Sequence, residues 1–302
     1  MTARPFSVTP QRAVEMLVIF LITQLACGIV GCGILGGIGG ILNRPTLLAD
    51  SMALVLVVGN SLAFLYLYHR ETRRAALSWL DLSWGGGQAV RLAGPVFLLA
   101  AAGVVIVSEV NNVMLLVLPK PLEGLLGHLT DLETFPVLSP LLIVVLAPIT
   151  EEVLFRGLML RGLLAVMAPV RAIALSTMLF MILHLNPWQF PVACVLGVLT
   201  GWVYLRSRSL LLCVGLHAVQ NATALFANSL SGTLPAFNQL SGDAGRFHPW
   251  WLDLFALAML VAGVVRFDRA APPVAPFAGA QPKIPEPPLI APPPLLDPGA
   301  GI

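Results

Sequence analysis

Two adjacent carboxylates, Glu151 and Glu152, stand with Arg156 in a stretch, residues 137–160, that is otherwise almost wholly apolar. If that stretch crosses a bilayer, each charge costs about 2.5–3.5 kcal/mol on insertion scales. Such groups are normally paired, face a protein interior or a wet cavity, and carry function. Neighbouring helical residues point about 100° apart, so the two glutamates cannot share one face. Glu152 and Arg156 are at i,i+4 with the acid N-terminal, the favourable order for an ion pair. That division leaves Glu151 to face a cavity. Pro148, just upstream, removes one helical hydrogen bond and opens the helix beside the carboxylates. Backbone freed there is available to a site.

Two further polar signals lie in apolar stretches. Phe180 and His184 stack an aromatic ring and an imidazole at i,i+4, and His217 and Asn221 put two hydrogen-bonding groups on one helical face. Counted from the flanking arginines 161, 171 and 208, all four polar groups lie at a depth of about 14–20 Å for a rise of about 1.5 Å per residue. One shared site is therefore physically allowed. Its chemistry is hydrolysis. A carboxylate in a low-dielectric cavity is a better general base toward water. A histidine orients that water or shuttles its proton, and a His/Asn pair supplies donors where a tetrahedral oxyanion forms. A zinc ion held by Glu151, His184 and His217 would acidify the water instead, although no HExxH motif is present. The competing class is non-catalytic. A buried Glu–Arg pair also serves as a structural or transport element, and the histidines and Asn221 also serve as packing or helix-bridging groups.

The elements that must position these residues are helices in a membrane. The chain has 302 residues, 57% hydrophobic and only 11% charged, against about 25% charged in a soluble domain. Mean hydropathy is +0.87. The expected class is all-α, a polytopic membrane protein with about eight spans of ~20 residues. Alternating segments typical of an outer-membrane barrel are absent. A net charge of +2 offers no nucleic-acid surface. Cys27, Cys32, Cys194 and Cys213 lie in apolar runs without CxxC spacing, which reads as packing rather than disulfide or thiolate–metal chemistry. The first apolar run is too long for a cleaved signal peptide and reads as a retained span.

The expected spans are residues 13–42, 46–68, 92–118, 137–160, 172–185, 192–205, 210–230 and 250–265. Residues 1–136 hold the first three spans and an interfacial segment with Trp79, Leu80, Leu82 and Trp84. Residues 137–231 form the core with the polar motifs, 232–265 a loop and the eighth span, and 266–302 a tail. Eleven prolines in that tail favour extended, disordered chain. Gly33/Gly37 and Gly36/Gly40 in the first span have the spacing that lets helices approach closely. Glu109 and the pair Asn111-Asn112 are further polar residues within the third span. Of seventeen lysines and arginines, all but Arg44, Lys120 and Arg246 fall on one side of an eight-span arrangement. That bias places the N- and C-termini in the cytoplasm.

The motifs EExxxR (Glu151 to Arg156), FxxxH (Phe180 to His184) and HxxxN (His217 to Asn221) occur in this order. Together they resemble the CPBP family of intramembrane proteases, also called the Abi or CAAX prenyl protease 2 family. The resemblance covers roughly residues 137–230 and implies an eight-helix membrane fold with endopeptidase activity. It implies that Glu151 activates water with help from His184, that His217 and Asn221 stabilise the oxyanion, and that Glu152 and Arg156 shape the site. Family members are described both as metalloproteases and as glutamate-dependent proteases, so zinc stays open as a cofactor. Eukaryotic relatives trim the last three residues after a prenylated cysteine. Other relatives are linked to bacteriocin immunity. The expected partners are the lipid bilayer and a peptide or membrane-protein substrate, with no nucleic acid. The alternative is a non-proteolytic immunity factor or transporter using the same buried polar cluster.

Overall fold

The computed structural model describes residues 6–44, 47, 51–75, 77–79, 82–117, 137–230, 237 and 247–273. These residues form eight helical rods and no strand. They are α1 (Pro10–Ile41), α2 (Met52–Ala75), α3 (Gly86–Val117), α4 (Leu138–Leu163), α5 (Pro169–Leu183), α6 (Phe190–Ser207), α7 (Leu210–Leu230) and α8 (Trp250–Ala270). Proline opens α1, α5 and α6 in the first turn, where its missing N–H is not needed. Thr9 caps α1, its Oγ1 accepting from the Arg12 N–H at 3.2 Å.

The all-helical class holds. Five rods, α1, α3, α4, α6 and α8, are long and apolar enough to cross a membrane, and α5 and residues 210–226 of α7 are shorter apolar helices. The expectation of about eight spans thus rests on α2, α5 and α7 beyond these five.

α3 starts at Gly86, six residues before the expected 92, and two helix ends, those of α2 and α8, run well past the sequence reading, for one reason. α2 continues past Tyr68 to Ala75 because its polar end has partners on α1. Arg12 pairs with Glu71, and Arg70 Nη2 reaches Glu15 Oε1 at 3.1 Å. α8 continues past Val265 to Ala270, so residues 266–270 are helix rather than tail. Phe267 is buried against the Trp202 ring at 4.9 Å, and Asp268 pairs with Arg206 at 2.6 Å. The Pro-rich segment 274–302 and the loop 119–135 lie outside the described residues.

The glycine expectation for α1 is corrected as well. A Cβ added at Gly33, Gly36, Gly37 or Gly40 would meet nothing within 4 Å among the described residues. Close approach is made instead by Gly31, whose added Cβ would stand 2.9 Å from Val55 of α2.

α3 is the central post, contacting α6, α7 and α8. Gly263 of α8 lies so near Leu99 of α3 that a Cβ there would come within 2.9 Å. The segment before α3 is pinned to the start of α7. Ser209 Oγ donates to the Trp84 carbonyl at 3.0 Å, and Gly85, at φ +91°, leaves no room for a side chain beside Ser209. Trp79 and Trp84 pack together there, rings 4.9 Å apart. The deepest part of the core is the second half of α4, where every residue from Val153 to Leu160 is buried.

Candidate active site

α4 is not a uniform α-helix. Residues Leu141–Leu146 and Val153–Leu160 wind in the wider π register, and Ala147–Glu152 between them is α-helical. Such π segments recur at functional sites. Pro148 explains the first. The Ala147 N–H bonds to the Leu142 carbonyl, five residues back. The next residue in that register, Pro148, has no N–H to offer Ile143. Asn221 of α7 supplies the missing donor, its Nδ2 reaching the Ile143 carbonyl at 2.8 Å. The backbone opened by the proline is thus held by one of the predicted site residues.

Glu152 is the hub of the polar cluster. Its side chain is fully buried, and Oε1 accepts from Arg156 Nη1 at 3.0 Å and from His217 Nδ1 at 2.8 Å. Arg156, 1% exposed, also donates from Nη2 to the Gly197 carbonyl of α6 at 3.2 Å and lies over the Phe180 ring at 4.8 Å. Glu152, Arg156, His217 and Gly197 therefore tie α4, α6 and α7 together. Gly197 is required at its place, because a Cβ there would stand 2.7 Å from Thr177 of α5. A buried ion pair of this kind adds little net stability, but losing one partner leaves an uncompensated charge.

Phe180 is the apolar centre of the same group. Its buried ring packs edge-on to His184 (centroids 4.9 Å apart), His217 (5.8 Å) and Phe155 (5.2 Å). Both histidines have one nitrogen committed. His184 Nδ1 donates to the Phe180 carbonyl at 2.9 Å. His217 Nδ1 donates to Glu152, because a carboxylate only accepts. The acceptors hold each Nδ1 as a donor, so each ring is left with Nε2 for other work. His217 Nε2 faces Glu151 Oε2 at 3.9 Å. Glu151 is the more open glutamate, its side chain 18% exposed. The Oε2 atoms of both glutamates and Nε of Arg156 have no hydrogen-bond partner among the described residues.

The structure thus draws Glu151, Glu152 and Arg156 of α4, Phe180 and His184 at the end of α5, and His217 and Asn221 of α7 into one neighbourhood. Three contacts had no local signal in the sequence. They are Glu152 to His217, Arg156 to the Gly197 carbonyl, and Asn221 to the Ile143 carbonyl. Only the last could be anticipated in part, from the donor that Pro148 lacks.

The donor chemistry of Glu151, His184 and His217 suits zinc. Each histidine has its far nitrogen held by an oxygen, as metal-ligating histidines do. The spacing does not suit it. Among the described residues the one set of three such donors within 4.8 Å of one another is Glu109, His248 and Asp253. Glu151, His184 and His217 as they stand do not form a three-ligand site.

Residues 133–223 match the family described as Type II CAAX prenyl endopeptidase Rce1-like. The matched segment contains all seven motif residues, from Glu151 to Asn221, and leaves α1, α2, α3 and α8 outside it. No curated protein and no solved structure matches the chain.

Proposed function

We propose that this integral membrane protein, which carries the CPBP/CAAX endopeptidase signature over residues 133–223, is an intramembrane endopeptidase. Its substrates are membrane-associated proteins, prenylated CAAX-type chains among them. The observation that carries the reading is the convergence of three separate motifs on the Glu152 carboxylate and the Phe180 ring, with Glu151 Oε2, which has no hydrogen bond among the described residues, facing His217 beside them. A structural ion pair needs Glu152 and Arg156 but gives no reason for a second carboxylate facing an imidazole nitrogen.

In this reading a water donates one hydrogen to Glu151 and the other to His184 Nε2, which presents a lone pair because Nδ1 is engaged. The water oxygen attacks the scissile carbonyl as Glu151 takes its proton. In this reading His217 enters the reaction as an imidazolium, its Nδ1–H held by Glu152 and its Nε2–H, with the second N–H of Asn221, facing the developing oxyanion. The Glu152 carboxylate at Nδ1 offsets the charge of that ring throughout, as in other carboxylate–imidazole pairs. When the tetrahedral intermediate collapses, the C–N bond breaks and the proton on Glu151 passes to the leaving amine. Glu152 and Arg156 position and do not touch substrate. The bias of lysine and arginine places both termini, and the Arg161, Arg171 and Arg206 end of the bundle, on the cytoplasmic side.

The test is cleavage by purified protein in vesicles, using a farnesylated CAAX peptide and its unprenylated twin. Glu151→Gln should lower cleavage by about 10²–10⁴-fold, the range for a general base, with the melting temperature little changed. Equal cleavage by Glu151→Gln and wild type would sink the reading. Equal cleavage of the two peptides would remove the prenyl group from the substrate description and leave the protease.

A further inference from the structure

A second polar group lies where α3 meets the start of α8, outside the segment matched to the endopeptidase family. Glu109 is nine residues beyond Ala100, whose carbonyl accepts from Gln220 of α7. That is about 13 Å along α3, so this group and the candidate active site occupy different levels of the bundle. The His248 side chain is fully buried beneath the Phe237 ring, centroids 5.8 Å apart. Its Nδ1 faces Asp253 Oδ1 at 3.2 Å and Glu109 Oε2 at 3.5 Å.

The Asp253 contact is within hydrogen-bond reach, and the Glu109 oxygens also accept from the His248 backbone N–H at 3.2 and 3.3 Å, but both Nδ1 separations exceed the range of about 2.7–2.9 Å of charge-assisted hydrogen bonds. They match the edge of a coordination tetrahedron. Two ligands bound at about 2.0–2.1 Å to a tetrahedral zinc stand about 3.3 Å apart. One donor atom from each of the three residues lies within 4.8 Å of the others. The outer contacts are those of a ligand set. His248 Nε2 is hydrogen-bonded to Ser108 Oγ at 2.9 Å, which holds the ring with Nδ1 toward the carboxylates. Asn112 Nδ2 donates to Glu109 Oε2 at 2.7 Å. Metal-binding histidines and carboxylates are oriented by contacts of this kind. A groove of about 300 Å³ lined by Glu109, Val110, Asp253 and Ala256 runs beside the group and gives access for a fourth ligand.

We propose that Glu109, His248 and Asp253 form a three-ligand site for a divalent transition cation of the zinc class, with a water in the fourth position. The site clamps the first turn of α8 to α3. One nitrogen and two carboxylate donors select zinc-like ions over calcium, which takes six to eight oxygens. The clamp is independent of the proteolytic reading and does not rest on it.

The full chain, purified in detergent and dialysed against a chelator, is titrated with zinc chloride and, separately, cobalt(II) chloride. The expected result is one ion per chain, visible bands of tetrahedral cobalt, and a rise in melting temperature. His248→Ala and Asp253→Asn should each weaken binding by at least about tenfold, while His184→Ala binds as wild type. Asp253 is the exposed ligand, with a side chain 40% accessible, so Asp253→Asn keeps the test open if His248→Ala does not fold. Absence of stoichiometric uptake overturns the proposal. So does uptake that His184→Ala abolishes and His248→Ala spares, or uptake of calcium without zinc or cobalt.

Discussion

The groups around Glu152 and around His248 both set charge among apolar helices, and they balance it in opposite ways. At Glu152 the chain supplies its own cation. Arg156 is held on three sides, by the carboxylate, the Gly197 carbonyl and the Phe180 ring, and the cluster is sealed. At His248 two carboxylates share one imidazole, and both are part-exposed beside a groove. The first arrangement preorganises. It fixes the orientation of His217 and leaves Glu151 as the more open carboxylate beside it. The second sets two carboxylates on one side of an imidazole, an arrangement that a cation from outside would complete. Buried polar residues in a membrane protein thus divide into those that close a charge balance and those that leave one open.

The sharpest way to break this comparison is to remove a charge from each group. Arg156→Ala leaves Glu152 buried and unpaired, and should cost about 3–5 kcal/mol of stability. Cleavage should fall with it, because His217 loses its fixed partner geometry. Asp253→Asn removes a part-exposed charge and should cost about 1 kcal/mol or less in metal-free protein. Thermal or denaturant unfolding in detergent reads both. Similar losses from the two changes would mean that the second group is as closed as the first.

Which parts of this arrangement were legible depended on sequence distance. The Glu152–Arg156 pair lies within one helical turn, so spacing alone suggested it. The Phe180/His184 and His217/Asn221 pairs were legible for the same reason. The bond from Glu152 to His217 joins residues 65 apart, and that from Arg156 to Gly197 residues 41 apart. Nothing in either local pattern names the partner. Glu109 was visible as an odd charge in an apolar stretch, but its contact with His248 crosses 139 residues. The helix ends follow the same logic. Glu71 and Asp268 look like loop residues until Arg12 and Arg206 come from other helices to meet them. The glycine stripe in α1 misled because spacing tells which residues share a face and not whether another helix covers it.

A smaller effect tests how tightly the first group is closed. Gly197 presents its carbonyl to Arg156 only because α5 and α6 approach without a side chain between them. Gly197→Ala puts a Cβ 2.7 Å from Thr177 Cγ2 and should cost about 1–3 kcal/mol by overpacking. If the carbonyl is pushed off Arg156, cleavage falls further than stability explains. A paired Thr177→Ser change, which removes that methyl, should restore both. Failure of the pair to restore cleavage would detach Gly197 from the site.

The finest distinction concerns Asn221, which has two candidate jobs. Its Nδ2 replaces the donor that Pro148 denies to Ile143, and its second N–H is assigned to the oxyanion. Asn221→Ala should cost about 0.5–2 kcal/mol, the scale of a hydrogen bond between membrane helices. Pro148→Ala restores a backbone N–H, so in the Asn221→Ala background it should recover part of that stability. Pro148→Ala alone should recover nothing, because the carbonyl is already satisfied. Cleavage then separates the two jobs. If Asn221 only holds the opened helix, the double variant regains activity along with stability. If its second N–H meets the oxyanion, stability returns and activity stays low, with the loss in kcat rather than KM because the contact strengthens in the transition state. Recovery of neither would mean that Pro148 and Asn221 are not coupled through the Ile143 carbonyl.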